Sequence, residues 1–128
     1  MNNTTLEKIY KIAKDVREGI CFEFGSDILD GLCYYTSEQL KKELGLEGFK
    51  SKLIAGIFEV DEVDQEFVDF MGGELDEELY KQSHYWLELK GFIIDITADQ
   101  FNMYLNKNKA MSQIVIGTYR NLPNYKKG

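Results

Sequence analysis

Three side chains in this sequence are equipped for nucleophilic chemistry: two cysteines, Cys21 and Cys33, and a single histidine, His84. A thiol attacks as its thiolate, and an imidazole is the group that exchanges a proton near neutrality, so any Cys–His pair here must use His84. A carboxylate beside the ring completes such a set, because it holds the tautomer and stabilises the imidazolium that forms when the ring takes a proton. Asp95 is the candidate carboxylate.

What must position these groups is legible in HYWLELKGFIIDIT, two β-like runs around Lys90 and Gly91. With those two as the loop residues of a hairpin, Leu89 faces Phe92, Trp86 pairs with Asp95, and His84 pairs with Thr97. Side chains alternate along a strand and opposed residues share a face, so His84, Trp86, Asp95 and Thr97 project to one side. His84 and Asp95 are then diagonal neighbours with backbones roughly 7–8 Å apart, within side-chain reach. Tyr85, Leu87, Leu89, Ile94 and Ile96 project to the other side, which the pattern predicts as the core face, leaving the ionisable set at a surface or cleft. An odd loop would place His84 and Asp95 on opposite faces.

From Leu32, the pattern CYYTSEQLKKELG puts Cys33, Ser37, Leu40 and Leu44 on one helical stripe, with Gly45 as the expected terminator. Cys33 thus falls in the first turn of a helix, where unpaired N–H groups and the macrodipole favour an anion. Cys21 lies among Ile20, Phe22 and Phe24, a setting that predicts a buried, inert thiol. A lone Cys and a lone His on amphipathic elements also serve as packing residues, and spacing alone leaves both readings open.

The remaining elements frame this set. TTLEKIYKIAKDVRE has a capping-box start at Thr4 and Glu7 and apolar residues at helical spacing. GICFEFGSDILDGL contains turn and cap residues around short apolar pieces and receives no assignment. Residues 52–60, KLIAGIFEV, and residues 113–119, QIVIGTY, read as strands. The expected fold is α+β, with the nucleophile-bearing helix packed on an antiparallel β-sheet of about 52–60, 84–89, 92–97 and 113–119, the first helix beside it. The length of 128 residues suits one domain spanning 1–128.

A formal charge of −7 offers no footprint for a phosphate backbone, so nucleic acid is not an expected partner. MNNTTLEKIY lacks the pattern of a secretion signal, and no stretch nears the ~20 apolar residues that span a bilayer. The expectation is a cytoplasmic protein with free thiols and no membrane association. One histidine and two separated cysteines lack zinc-site spacing, and no phosphate-binding glycine loop occurs, so no metal or cofactor is expected. Asp95, Thr97 and Asp99 form a D-x-T-x-D pattern, but no further ligands follow at suitable spacing. The acidic stretch Asp61 to Glu78 is either solvated surface or a lid that favours cationic substrates. Trp86 is a candidate both for lining a cleft beside the histidine and for packing. Oligomeric state is not encoded in these patterns.

The segments GLCYYTSEQLKKELG, KLIAGIFEV and HYWLELKGFIIDITADQF resemble, in order and spacing, the Cys, His and Asp boxes of transglutaminase-like, papain-related cysteine enzymes. The resemblance covers about residues 31–101. It implies acyl transfer through a thioester, with Cys33 as nucleophile, His84 as base and then acid, and Asp95 as the orienter. It also implies a peptide or protein substrate and an oxyanion site to which the Cys33 N–H contributes, with Gln100 or a tyrosine near Cys33 as a further candidate. A non-catalytic binding or regulatory module on the same fold, and a side-chain deamidase, remain alternatives.

Overall fold

The computed structural model describes residues 1–60, 65–70, 72, 81–105 and 107–128. It is an α+β fold with two long helices on one side of an antiparallel five-stranded sheet. Helix α1 runs Asn3–Phe24 and α2 Cys33–Leu46; the strands are β1 (Lys52–Glu59), β2 (Lys81–Leu89), β3 (Phe92–Asp95), β4 (Val115–Thr118) and β5 (Tyr125–Lys127), with a short α3 (Gln65–Phe70) after β1. The sheet order is β4-β3-β2-β1-β5.

Helix α1 starts earlier and ends later than its apolar pattern predicts. Asn2, rather than Thr4, caps it by accepting from the Thr5 N–H at 2.8 Å. The helix continues through the unassigned Ile20–Phe24 and stops at Gly25, whose φ of 66° is the left-handed C-terminal cap that glycine adopts without strain. Three consecutive helical residues point in three directions, so only Ile20 of this group is buried, while Phe22 is 90% exposed. Cys21 is therefore half-exposed rather than buried as expected.

The hairpin has the expected register: Leu89 pairs with Phe92, Glu88 with Ile93 and Leu87 with Ile94. Lys90 and Gly91 both have positive φ, 51° and 81°, as a two-residue turn matched to strand twist requires. The two faces differ from expectation in one respect. Ile9, Ala13, Leu40 and Leu44 of the helices do cover Leu87, Leu89, Ile94 and Ile96. The opposite face is not left to solvent: Ile54, Phe58, Trp86, Ile93 and Val115 form a second core with Ala98, Phe101, Leu105 and Tyr125. Alternation separates the two sides of a strand but does not say what covers each.

Strand β1 reaches into this second core through Gly56, which stands opposite His84. A Cβ at Gly56 would lie 2.3 Å from the Trp86 ring and 2.5 Å from the Lys126 carbonyl oxygen, so only glycine lets Trp86 and β5 close over this strand. Strand β3 is shorter than the expected 92–97, because Asp95 ends it and a single 3₁₀ turn, Ala98–Phe101, follows. The acidic stretch 61–78, expected as solvated surface or a lid, lies mostly outside the described residues. Within it, α3 is described, and its Phe67 packs edge-on against Tyr104 with ring centres 5.1 Å apart.

Candidate active site

His84 and Asp95 meet as the hairpin register requires. Nε2 of His84 lies 2.7 Å from Oδ2 of Asp95, and the two residues are each 1% exposed. Around the carboxylate every lone-pair direction finds a donor. Oδ1 accepts from the Thr97 N–H at 3.0 Å and its hydroxyl at 3.2 Å, closing a tight turn at the end of β3. Oδ2 also accepts from the Tyr125 hydroxyl at 2.6 Å.

These contacts set the charges. Burial acts to raise the Asp95 pKa, but the charge and hydrogen bond of His84, the Tyr125 hydroxyl and the Thr97 N–H outweigh it and hold the carboxyl below its ordinary value. An ionised carboxylate only accepts, so Nε2 of His84 carries a proton toward it. Burial likewise acts to lower the histidine, yet Asp95, with a smaller contribution from Cys33, pulls the ring up to about 9. The Tyr125 phenol is pushed well above its ordinary 10.0 by burial and by the adjacent carboxylate, so it stays a donor.

Cys33 opens α2, where Leu32 in the N-cap position supplies no side-chain cap. The first-turn N–H groups are therefore free of an internal side-chain acceptor. The reason the helix start meets His84 lies in the sheet. Because β3 ends at Asp95, the edge of β2 beyond Leu87 has no β3 partner, and α2 takes its place: the Ser37 hydroxyl donates to the Tyr85 carbonyl at 3.4 Å. The Tyr85 N–H interacts with the Cys33 sulfur on the same edge. Burial acts to raise the thiol, but interactions with His84 and the Tyr85 N–H outweigh it, and the Cys33 pKa is lowered from 9.0. Nδ1 of His84 is buried and has no partner at hydrogen-bonding geometry. With Nε2 held by Asp95, Nδ1 is the nitrogen left for the thiol, and the ring and thiol act on each other's charge.

The remaining expected site residues take supporting places. Trp86 is 0% exposed, and its indole N–H donates to the Tyr119 hydroxyl at 3.0 Å, so it backs the histidine and presents no surface to a substrate. The Gln100 amide donates to the Thr97 carbonyl at 3.0 Å, and its oxygen accepts from the Gly31 N–H at 3.4 Å. Gln100 thereby ties the segment leading into Cys33 to the end of the Asp95 turn. Asp99 forms a bidentate pair with Arg17, at 2.9 Å to each carboxylate oxygen.

Two site residues escape sequence reasoning. Tyr125 sits in a three-residue strand with no periodicity to reveal it. Arg17 is 3% exposed and also donates to the carbonyls of Ile96 and Asp27, clamping the segment after Asp95 to the segment before Cys33. A signal for Arg17 was present, since it continues the Ile9, Ala13 stripe at intervals that face the core.

Buried charge pair, oriented ring and polarised thiol together define a site suited to nucleophilic chemistry by a cysteine. Against known proteins, the chain matches no family model, no curated protein and no solved structure. Among the described residues, no helix is long and apolar enough to cross a membrane.

Proposed function

We propose that the chain is a cysteine-dependent acyl-transfer enzyme with a transglutaminase-like, papain-related core, acting on a peptide or side-chain amide. The observation that carries this reading is the buried His84 and Asp95 pair, 2.7 Å apart, whose ring interacts with a half-exposed thiol at a helix start. A structural ion pair has no need of a half-exposed thiol beside it.

In the reaction the Cys33 thiolate forms a bond to the substrate carbonyl carbon, and the carbonyl pair moves to oxygen. The Cys33 N–H and the uncapped first turn of α2 face the developing oxyanion. Collapse expels the amine, which takes its proton from the His84 imidazolium, and leaves a thioester on Cys33. Water or a second amine then attacks, gives its proton back to His84, and releases the thiolate. Asp95 keeps its charge throughout and stabilises the imidazolium.

The test is capture of the acyl intermediate. The protein is mixed with p-nitrophenyl acetate and with a panel of glutamine- and asparagine-containing peptides, quenched in acid and weighed intact. The expected result is a hydroxylamine-labile acyl adduct on Cys33 that His84→Ala suppresses at least about 100-fold, as loss of a general acid–base predicts. Adducts that form equally without His84 overturn the reading.

A further inference from the structure

We infer that Tyr34 and Tyr85 form a recognition wall beside Cys33 that selects acyl substrates carrying an aromatic ring next to the reacting carbonyl. The inference rests on the acyl-transfer reading of Cys33 and names its substrate class.

Each tyrosine follows a reacting residue in the chain: Tyr34 comes after Cys33 on α2, and Tyr85 after His84 on β2. The docking of α2 on the open edge of β2 brings them together, through the Ser37 hydroxyl on the Tyr85 carbonyl at 3.4 Å. Their rings then meet edge to face, with centres 5.1 Å apart and planes at 81°. Tyr34 is 54% exposed although it touches another ring, so much of its surface faces solvent.

The floor beside this pair is open. Ala55 stands directly opposite Tyr85 in the β1–β2 register, on the same face, and is exposed. A methyl group at this position leaves the flank of the Tyr85 ring uncovered where a larger residue would fill it. Phe24, 47% exposed, packs edge-on against Tyr35, the residue after Tyr34 on α2. An edge-to-face pair with one uncovered flank accepts a third ring in the same geometry. A ring face also attracts cations, which makes a cationic substrate the competing outcome.

The test uses the full chain carrying Cys21→Ser, so that Cys33 is the single thiol. Three reagents share one reacting group: iodoacetamide, N-benzyl iodoacetamide and N-(2-aminoethyl) iodoacetamide. Each alkylation rate is divided by the rate of the same reagent with free cysteine. The expected result is a normalised benzyl rate about threefold to tenfold above that of iodoacetamide, with no such gain for the aminoethyl reagent. Tyr34→Ala, at an exposed position, is expected to bring the benzyl-to-parent ratio to about one, and Ala55→Phe to lower it by filling the flank. A ratio near one in the unaltered wall, a ratio that survives Tyr34→Ala, or a gain for the aminoethyl reagent in place of the benzyl one overturns the inference. Failure of the acyl-transfer reading is distinct: it appears as iodoacetamide reactivity that His84→Ala leaves unchanged, whatever the benzyl ratio.

Discussion

The hydroxyl of Tyr125 and the carboxylate of Asp95 are 2.6 Å apart, and the oxygen that accepts from Tyr125 is the one that meets the His84 ring. A residue on β5 thus helps hold the charge that orients a ring on β2. Tyr125→Phe keeps the ring that packs against Phe58 and Trp86 but removes the donor. A hydrogen bond to a charged group contributes about 1.5–3 kcal/mol, and the variant is expected to lose stability in that range in urea denaturation. An unchanged midpoint would contradict the role assigned to this hydroxyl.

His84 is the one histidine of the chain, so its ring resonances are unambiguous in NMR. Its titration is expected near 9 in the wild type, because Asp95 outweighs burial. Asp95→Asn removes the largest raising influence and leaves burial, so the midpoint is expected to fall to the ordinary 6.5 or below. A raised histidine stabilises the fold fully below the unfolded value of 6.5 and loses that contribution as pH climbs through its folded value. In a Cys33→Ala background, which removes the coupled thiol, stability is therefore expected to decline between neutrality and the upper end of this window, and Asp95→Asn is expected to flatten the decline.

Cys33 alkylation by iodoacetamide should report the thiolate directly. With the thiol lowered from 9.0, reaction is expected to persist at pH values where an ordinary cysteine is largely protonated. His84→Ala removes lowering interactions and leaves burial to raise the thiol, so the rate profile is expected to shift to higher pH. Because the two groups titrate as a pair, the profile gives apparent values for the pair rather than for either residue. A profile indifferent to His84 would separate the thiol from the ring.

Gly56→Ala tests how the second core carries the site. The added methyl meets the Trp86 ring at 2.3 Å and the Lys126 carbonyl oxygen at 2.5 Å, neither of which yields without moving β5 or the indole. Overpacking of this kind costs about 1–3 kcal/mol. The expected outcome is that loss in denaturation together with altered tryptophan fluorescence and a displaced His84 resonance, since Gly56 stands opposite His84. Wild-type stability and spectra would show that β1 has more room than its contacts imply.

The His84 and Asp95 pairing was legible in the chain because everything that makes it is local. A two-residue turn at Lys90 and Gly91 sets the register, and strand alternation then dictates which side chains share a face. The same holds for Cys33, whose place at a helix start follows from the stripe through Ser37, Leu40 and Leu44. Fold class was legible for the same reason, as two amphipathic helices and several β-like runs have different periods.

What tertiary structure alone decided was the environment of those residues. The sequence pattern left His84, Trp86, Asp95 and Thr97 facing a surface or cleft, whereas the segment after β3 and strand β5 fold over that face and bury them. Tyr125 reaches Asp95, and Arg17 reaches Asp99, across long stretches of chain in which no periodic pattern records the pairing. Periodicity reports how a side chain leaves its own backbone; which distant segment then covers it, and so which charges are desolvated and paired, depends on how the whole chain closes on itself.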